Sequence, residues 1–172
     1  MNLINKRFET LQDLNSRIFE EILSITKAEK RPKIILSGGN SPKMLFKLIS
    51  KNLHYFDNTT FLMSDERIVD IKNPNSNEGD FLRISNISKE KLISLRDKNL
   101  IQKIKHISSY DLSVLGMGED GHFASIFPNC INTNLALNSK KRIISFDDNH
   151  LSFMRISLSL HEILKSKKII LI

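Results

Sequence analysis

Three short apolar runs in this chain each end abruptly in a polar cluster, and no other feature constrains the fold as much. Lys33 to Leu36 leads into Ser37-Gly38-Gly39-Asn40-Ser41, Thr60 to Met63 into Ser64-Asp65-Glu66-Arg67, and Leu112 to Leu115 into Gly116-Met117-Gly118-Glu119-Asp120-Gly121-His122. Arg142 to Phe146 and Lys168 to Ile172 are further runs of the same kind. Short, β-branched and nearly unbroken, such runs match strands buried on both faces. Helical patterns separate most of them. In the opening segment Phe8, Leu11, Leu14, Ile18, Ile22 and Ile25 recur at three- and four-residue steps, which lines one helix face. The alternation predicts an α/β fold, a three-layer domain with a mostly parallel, Rossmann-like sheet flanked by helices, because parallel neighbours need crossover connections.

At 172 residues the chain suits one such domain over 1–172, long enough to bury a core without disulfide or metal staples. Ligands of an open parallel sheet bind beyond the carboxyl ends of its strands. The three polar clusters are therefore expected on one rim.

Composition narrows the partners. The formal charge of +7, from 26 Lys and Arg against 19 Asp and Glu, favours anionic ligands. The lysines are dispersed, and Tyr55, Tyr110 and the scattered Phe residues form no interleaved basic and aromatic platform. A small phosphorylated molecule is expected, not nucleic acid. Cys130 is the single cysteine, so no internal disulfide is expected; it reads as a packing residue in a reducing, cytoplasmic compartment. Met1 to Thr10 is interrupted by Lys6, Arg7 and Glu9, unlike a signal peptide. No apolar run approaches the roughly 20 residues that cross a bilayer, so no membrane partner is expected.

Each cluster carries its own chemistry. Ser41 is the expected N-cap, and Pro42 the first residue, of an amphipathic helix running to Ile49. Gly38 and Gly39 let the backbone approach an anion, while free amides and the positive helix end attract phosphate. A bare Gly-Gly also serves as an ordinary strand-to-helix turn, and the P-loop spacing is absent. In the second cluster, an acid and the Arg67 guanidinium are expected to point over the rim, where the guanidinium fork suits a carboxylate or phosphate. Such a charged run is equally the composition of a solvated loop. Asn75-Ser76-Asn77-Glu78 reads as a turn and helix cap. In the third, His122 follows a glycine turn where an imidazole can take a proton from water at neutral pH, with Asp120 available to orient it.

Gly116 to Gly121 also satisfies the G-x-G-x-x-G dinucleotide pattern, and Asp147 or Asp148 ends the next run. The match lies two-thirds along the chain, which leaves too little sequence for the second mononucleotide half, and Pro128 stops any helix after barely two turns. A nicotinamide cofactor is not expected.

Taken together, Leu36 to Pro42, Ser64 to Arg67 with Ser76-Asn77, and Asp111 to Pro128 resemble the 6-phosphogluconolactonase family, and Met154 to Leu160 resembles its arginine-bearing strand. The resemblance runs from about Ile34 to the C-terminus. It implies hydrolysis of 6-phosphogluconolactone to 6-phosphogluconate in the pentose phosphate pathway, with no metal or organic cofactor. It further implies His122 as general base, Asp65 or Asp120 holding the imidazole, and Arg67 near the reacting carbonyl. Gly38, Gly39, Asn40, Ser41 and Arg155 would hold the substrate phosphate. Glucosamine-6-phosphate deaminases share the fold, but they carry an aromatic residue in place of Arg67 and a glutamate shortly after the histidine. Here that stretch reads Ala124-Ser125-Ile126-Phe127-Pro128.

Departures from the family pattern are Asn40-Ser41 in the first loop, Phe123 for the usual threonine, and a shorter stretch between Asn77 and Asp111. The family's glycine-lysine segment and closing helix do not follow Leu171-Ile172, so the fold is expected to be C-terminally shortened. A shortened sugar-phosphate-binding protein without turnover is the alternative from another class. The last strand, exposed at a sheet edge, is compatible with a monomer or homodimer.

Overall fold

The computed structural model describes residues 3–149 and 151–172. Its strands, in chain order, are β1 (Lys33–Leu36), β2 (Thr60–Met63), β3 (Asp65–Arg67), β4 (Leu92–Ile93), β5 (Leu112–Leu115), β6 (Ile143–Phe146), β7 (Arg155–Leu158) and β8 (Ile169–Leu171). The helices are α1 (Leu11–Ala28), α2 (Lys43–Ser50), α3 (Asn77–Ser85), α4 (Leu100–Ile104), α5 (Thr133–Asn138) and α6 (Leu160–Ile163). Five strands form a parallel sheet in the order β4-β2-β1-β5-β8. Ile34, Ile35 and Leu36 of β1 are all fully buried, and β5 is buried at every position, so both faces of the sheet centre are covered. This is the layered, mostly parallel arrangement that the unbroken apolar runs predict.

Helices close over the sheet through matched apolar faces. Ile18, Phe19 and Ile22 of α1, Leu45, Phe46 and Ile49 of α2, and Phe81 of α3 join the strand residues in the main core. Phe81 meets Phe46 edge-on and Phe61 tilted, both at 5.1 Å between centroids, which ties α2 and α3 to β2. The face of α1 begins later than its periodicity predicts. Thr10 caps the helix by accepting from Asp13 N, so Leu11 stands in the first turn, 66% exposed, while Asn15 is buried and donates to Leu11 O.

The run Arg142 to Phe146, expected among the other sheet strands, belongs elsewhere. Its strand, β6, pairs antiparallel with β7, which pairs antiparallel with β3, in a separate three-stranded sheet. Along β6 burial alternates, with Ile144 and Phe146 inward and Ser145 exposed, as a strand covered on one face requires. Ile126, Ala136, Ile144 and Phe146 form a second small core beneath it, and half-buried Phe123 packs against both cores. No helix among the described residues is long and apolar enough to cross a membrane.

Candidate active site

Because β1, β2 and β5 run parallel side by side, the segments that leave them emerge on one rim of the sheet. Side-chain bonds then lock the exits together. Buried Ser37 accepts from Gly116 N at 2.9 Å, which joins the first cluster to the third. Gly38 lies so close to Asn77 that an added Cβ would fall 2.0 Å from its Oδ1, which joins the first cluster to the start of α3. Gly39 takes φ +92°, and among the described residues, its chain neighbours aside, none comes within 4 Å of where a Cβ would stand. Asn40 and Ser41 are exposed beside this turn. Helix α2 starts one residue later than expected. Pro42 holds the cap position without a side-chain cap bond, because it is already helical at φ −83° and ψ −2° and Lys43 N closes a turn onto Asn40 O.

The second cluster is a strand rather than a solvated loop. Residue alternation along β3 sets Asp65 and Arg67 on one face and Glu66 on the other. Glu66 is fully buried and accepts from Ser76 Oγ, Asn77 N and Glu78 N, each at 2.8 Å, which anchors the start of α3. Ser76 is the N-cap of α3, as expected, and accepts from Gly79 N. Asp65 accepts from Ser64 Oγ at 3.0 Å and Ser125 Oγ at 2.6 Å, and its Oδ2 lies 3.9 Å from Arg155 Nη1. Arg67 donates to Asn75 O at 3.0 Å and to Asn77 Oδ1 at 2.9 Å. Across the β3–β7 ladder Arg67 is paired with Arg155, so the two guanidinium side chains leave the same face.

In the third cluster His122 Nδ1 stands 2.5 Å from Asp120 Oδ1, and His122 N donates to the same oxygen at 3.2 Å. These bonds hold the Asp120 carboxyl below the usual carboxylate range. Of the two acids considered for orienting the imidazole, Asp120 makes the contact, whereas Asp65 is bonded to Ser64 and Ser125. The imidazole stacks on Phe127, with centroids 4.4 Å apart and planes 28° apart, and the Arg155 guanidinium carbon lies 5.1 Å from the centroid of that ring. Burial, then the adjacent Arg67 charge, holds Arg155 below the usual guanidinium range, and its Nε is buried with no hydrogen-bond partner among the described residues. Ala124 adopts φ +51°, a left-handed conformation costing ~1–3 kcal/mol in a residue with a Cβ. The next residue makes the bonds that hold this turn: Ser125 donates its hydroxyl to Asp65 and its N–H to Ser157 Oγ.

Contacts thus run without a break from Gly38 through Asn77, Arg67, Arg155 and Phe127 to His122 and Asp120. A cleft of about 500 Å³ near β4, lined by residues including Asp70, Glu78, Lys89 and Arg96, shares none of them. The convergence of guanidinium and imidazole groups, rather than cavity size, marks the candidate site. Among the described residues no group of three or more His, Cys, Asp or Glu is gathered as a metal site. Nor does a helix follow Gly121: residues 122–132 are turns and isolated bridges, unlike a dinucleotide-binding βα unit. Glu66, Ser125 and Phe127 were not singled out by residue chemistry. Glu66 was hidden within a charged run, and Phe127 within an apolar stretch that reads as packing.

Residues 5–172 match the protein-family model described as glucosamine-6-phosphate isomerases/6-phosphogluconolactonase. The chain belongs to that family. The match covers all three rim clusters. Among relatives, the 6-phosphogluconolactonase of Haemophilus influenzae is 32% identical over 162 aligned positions, covering 81% of this chain and 69% of its own length. That of Helicobacter pylori (strain 26695) is also 32% identical, over 181 positions covering 95% of this chain and 78% of its own. The crystal structure of a 6-phosphogluconolactonase from Shewanella baltica OS155 superposes with TM-score 0.85 at 25% identity, covering 95% of this chain and 78% of that one. Its family membership accords with an α/β fold whose rim carries the Asp120–His122 pair and two arginines.

Proposed function

We propose that this chain hydrolyses 6-phosphogluconolactone to 6-phosphogluconate, with His122 as general base. The reading rests on one observation above all: an imidazole bonded to Asp120 at 2.5 Å shares the Phe127 ring with the guanidinium of Arg155, whose buried Nε has no hydrogen-bond partner among the described residues. With Asp120 ionised, Nδ1 keeps its proton and Nε2 is left to accept one from water. The water oxygen adds to the lactone carbonyl, and the tetrahedral intermediate then collapses. The carbon–ring-oxygen bond breaks, and the imidazolium returns its proton to the departing oxygen.

Binding at the far end of the substrate holds the carbonyl against the base. Two like charges side by side on β3 and β7 repel each other, and an anion between them relieves that repulsion. Arg155, whose Nε has no partner among the described residues, and the backbone of Gly38 to Ser41 hold the phosphate, while Arg67 offsets charge developing at the carbonyl. Asp65 keeps Arg155 in place. A lone cysteine fits action in a reducing cytoplasm. The same family includes amino-sugar isomerases, but residues 123–128 offer no carboxylate to carry a proton beside His122.

The test is hydrolysis of freshly made lactone, with spontaneous opening subtracted, alongside ammonia release from glucosamine 6-phosphate. Accelerated lactone opening without ammonia supports the proposal. Ammonia release without lactone hydrolysis replaces it with deamination.

A further inference from the structure

Phe127 touches the two groups that do different jobs in the proposed reaction. Its ring stacks against the His122 imidazole at 4.4 Å, with planes 28° apart, and the Arg155 guanidinium lies 5.1 Å from its centroid. Several constraints fix the ring itself. Pro128 confines the Phe127 backbone to extended conformations, Phe127 O accepts from Thr133 Oγ1, and the preceding turn is held by Ile126 N donating to Phe123 O. Asp120 restrains only one edge of the imidazole, and at 55% side-chain exposure it is itself poorly confined. Gly118 lies against that same edge, so the Phe127 ring is what supports the imidazole face.

We propose that Phe127 is a positioning residue that holds the imidazole plane and the phosphate-binding guanidinium in register through one shared aromatic ring. The inference rests on the lactonase reading of the site and adds a group that neither moves a proton nor donates to the phosphate. It predicts a signature that purely structural packing would not give. Loss of the ring disturbs turnover and anion binding together, whereas loss of either partner disturbs mainly its own function.

The experiment compares wild type, Phe127→Leu and Phe127→Tyr by three readouts. These are the His122 imidazole proton shifts in NMR, assigned with a His122→Gln variant, the affinity for 6-phosphogluconate by calorimetry, and kcat for lactone hydrolysis. In the wild type the stacked ring displaces the His122 signals upfield. Phe127→Leu abolishes that displacement, weakens 6-phosphogluconate roughly three- to tenfold and lowers kcat about tenfold, while Phe127→Tyr restores all three. Imidazole signals that stay in place in Phe127→Leu overturn the proposal, as does a loss of displacement with kcat and affinity unchanged. An inactive wild type that shows the displacement, binds 6-phosphogluconate, and loses both in Phe127→Leu would remove the lactonase reading and leave the shared platform standing.

Discussion

Arg67 and Arg155 are directly paired residues on adjacent antiparallel strands, and their guanidinium groups occupy the same face. Burial first, and then the opposed Arg67 charge, disfavour the charged Arg155 guanidinium. An anion bound between the two arginines would therefore be expected to stabilise the protein. We expect 6-phosphogluconate to raise Tm of the wild type, and Arg155→Ala to weaken its binding ~10- to 100-fold with little loss of fold. Calorimetric titration checks this; unchanged affinity in the variant would remove Arg155 from the phosphate site.

Gly118 sets the room available to the His122 imidazole. A methyl group there would stand 2.3 Å from the His122 ring and 2.7 Å from Asp120 Oδ1. Gly118→Ala is therefore expected to part the imidazole from its acid and lower kcat on the order of 100-fold, with Tm nearly unchanged because the loop is at the surface. Steady-state kinetics and a thermal melt on the same preparation decide it.

Glu66 supports the site from behind the strand. It receives Ser76 Oγ and the amides of Asn77 and Glu78, all in a buried setting. Glu66→Gln replaces one accepting oxygen with a donor facing donors, at an expected cost of about 2–4 kcal/mol in urea unfolding. Because the start of α3 carries Asn77, which bonds Arg67, the same variant should also raise KM.

Burial pushes the Glu78 carboxyl up from its ordinary value of 4.5, against the opposing bonds from Ser94 Oγ and Leu95 N. The folded state then binds a proton more readily than the unfolded chain between 4.5 and the raised value, so this group's contribution to stability falls as pH rises through that window. Glu78→Gln cannot titrate. Relative to it, the wild type should gain stability on acidification from neutral pH towards 4.5. Urea melts of both proteins at several pH values test the sign; a gap that moves the other way contradicts the assignment.

Much of the frame was legible from residue chemistry. Strands β1, β2 and β5 have the bounds that their apolar runs suggest, because each is a mostly hydrophobic stretch that ends at a serine or glycine opening a polar cluster. Strand β3 was not legible: Asp65, Glu66 and Arg67 have little intrinsic preference for extended structure, and only pairing with β7, about 90 residues away, makes them a strand. Strand β4 is two residues long, too short to leave a pattern. That Asp120 rather than Asp65 meets His122 Nδ1 depends on which backbone turn brings an oxygen there, and spacing alone leaves both open. Ser125 meets Asp65 only because Ala124 is left-handed, which an alanine gives no reason to expect.

The most direct measurement is the kinetics of His122→Ala on freshly prepared 6-phosphogluconolactone, corrected for spontaneous opening, beside 6-phosphogluconate binding to the same variant. If His122 moves the proton and Arg155 holds the phosphate as the account proposes, kcat should fall ~10²- to 10⁴-fold with product affinity kept within a few-fold. Turnover equal to that of the wild type would contradict it.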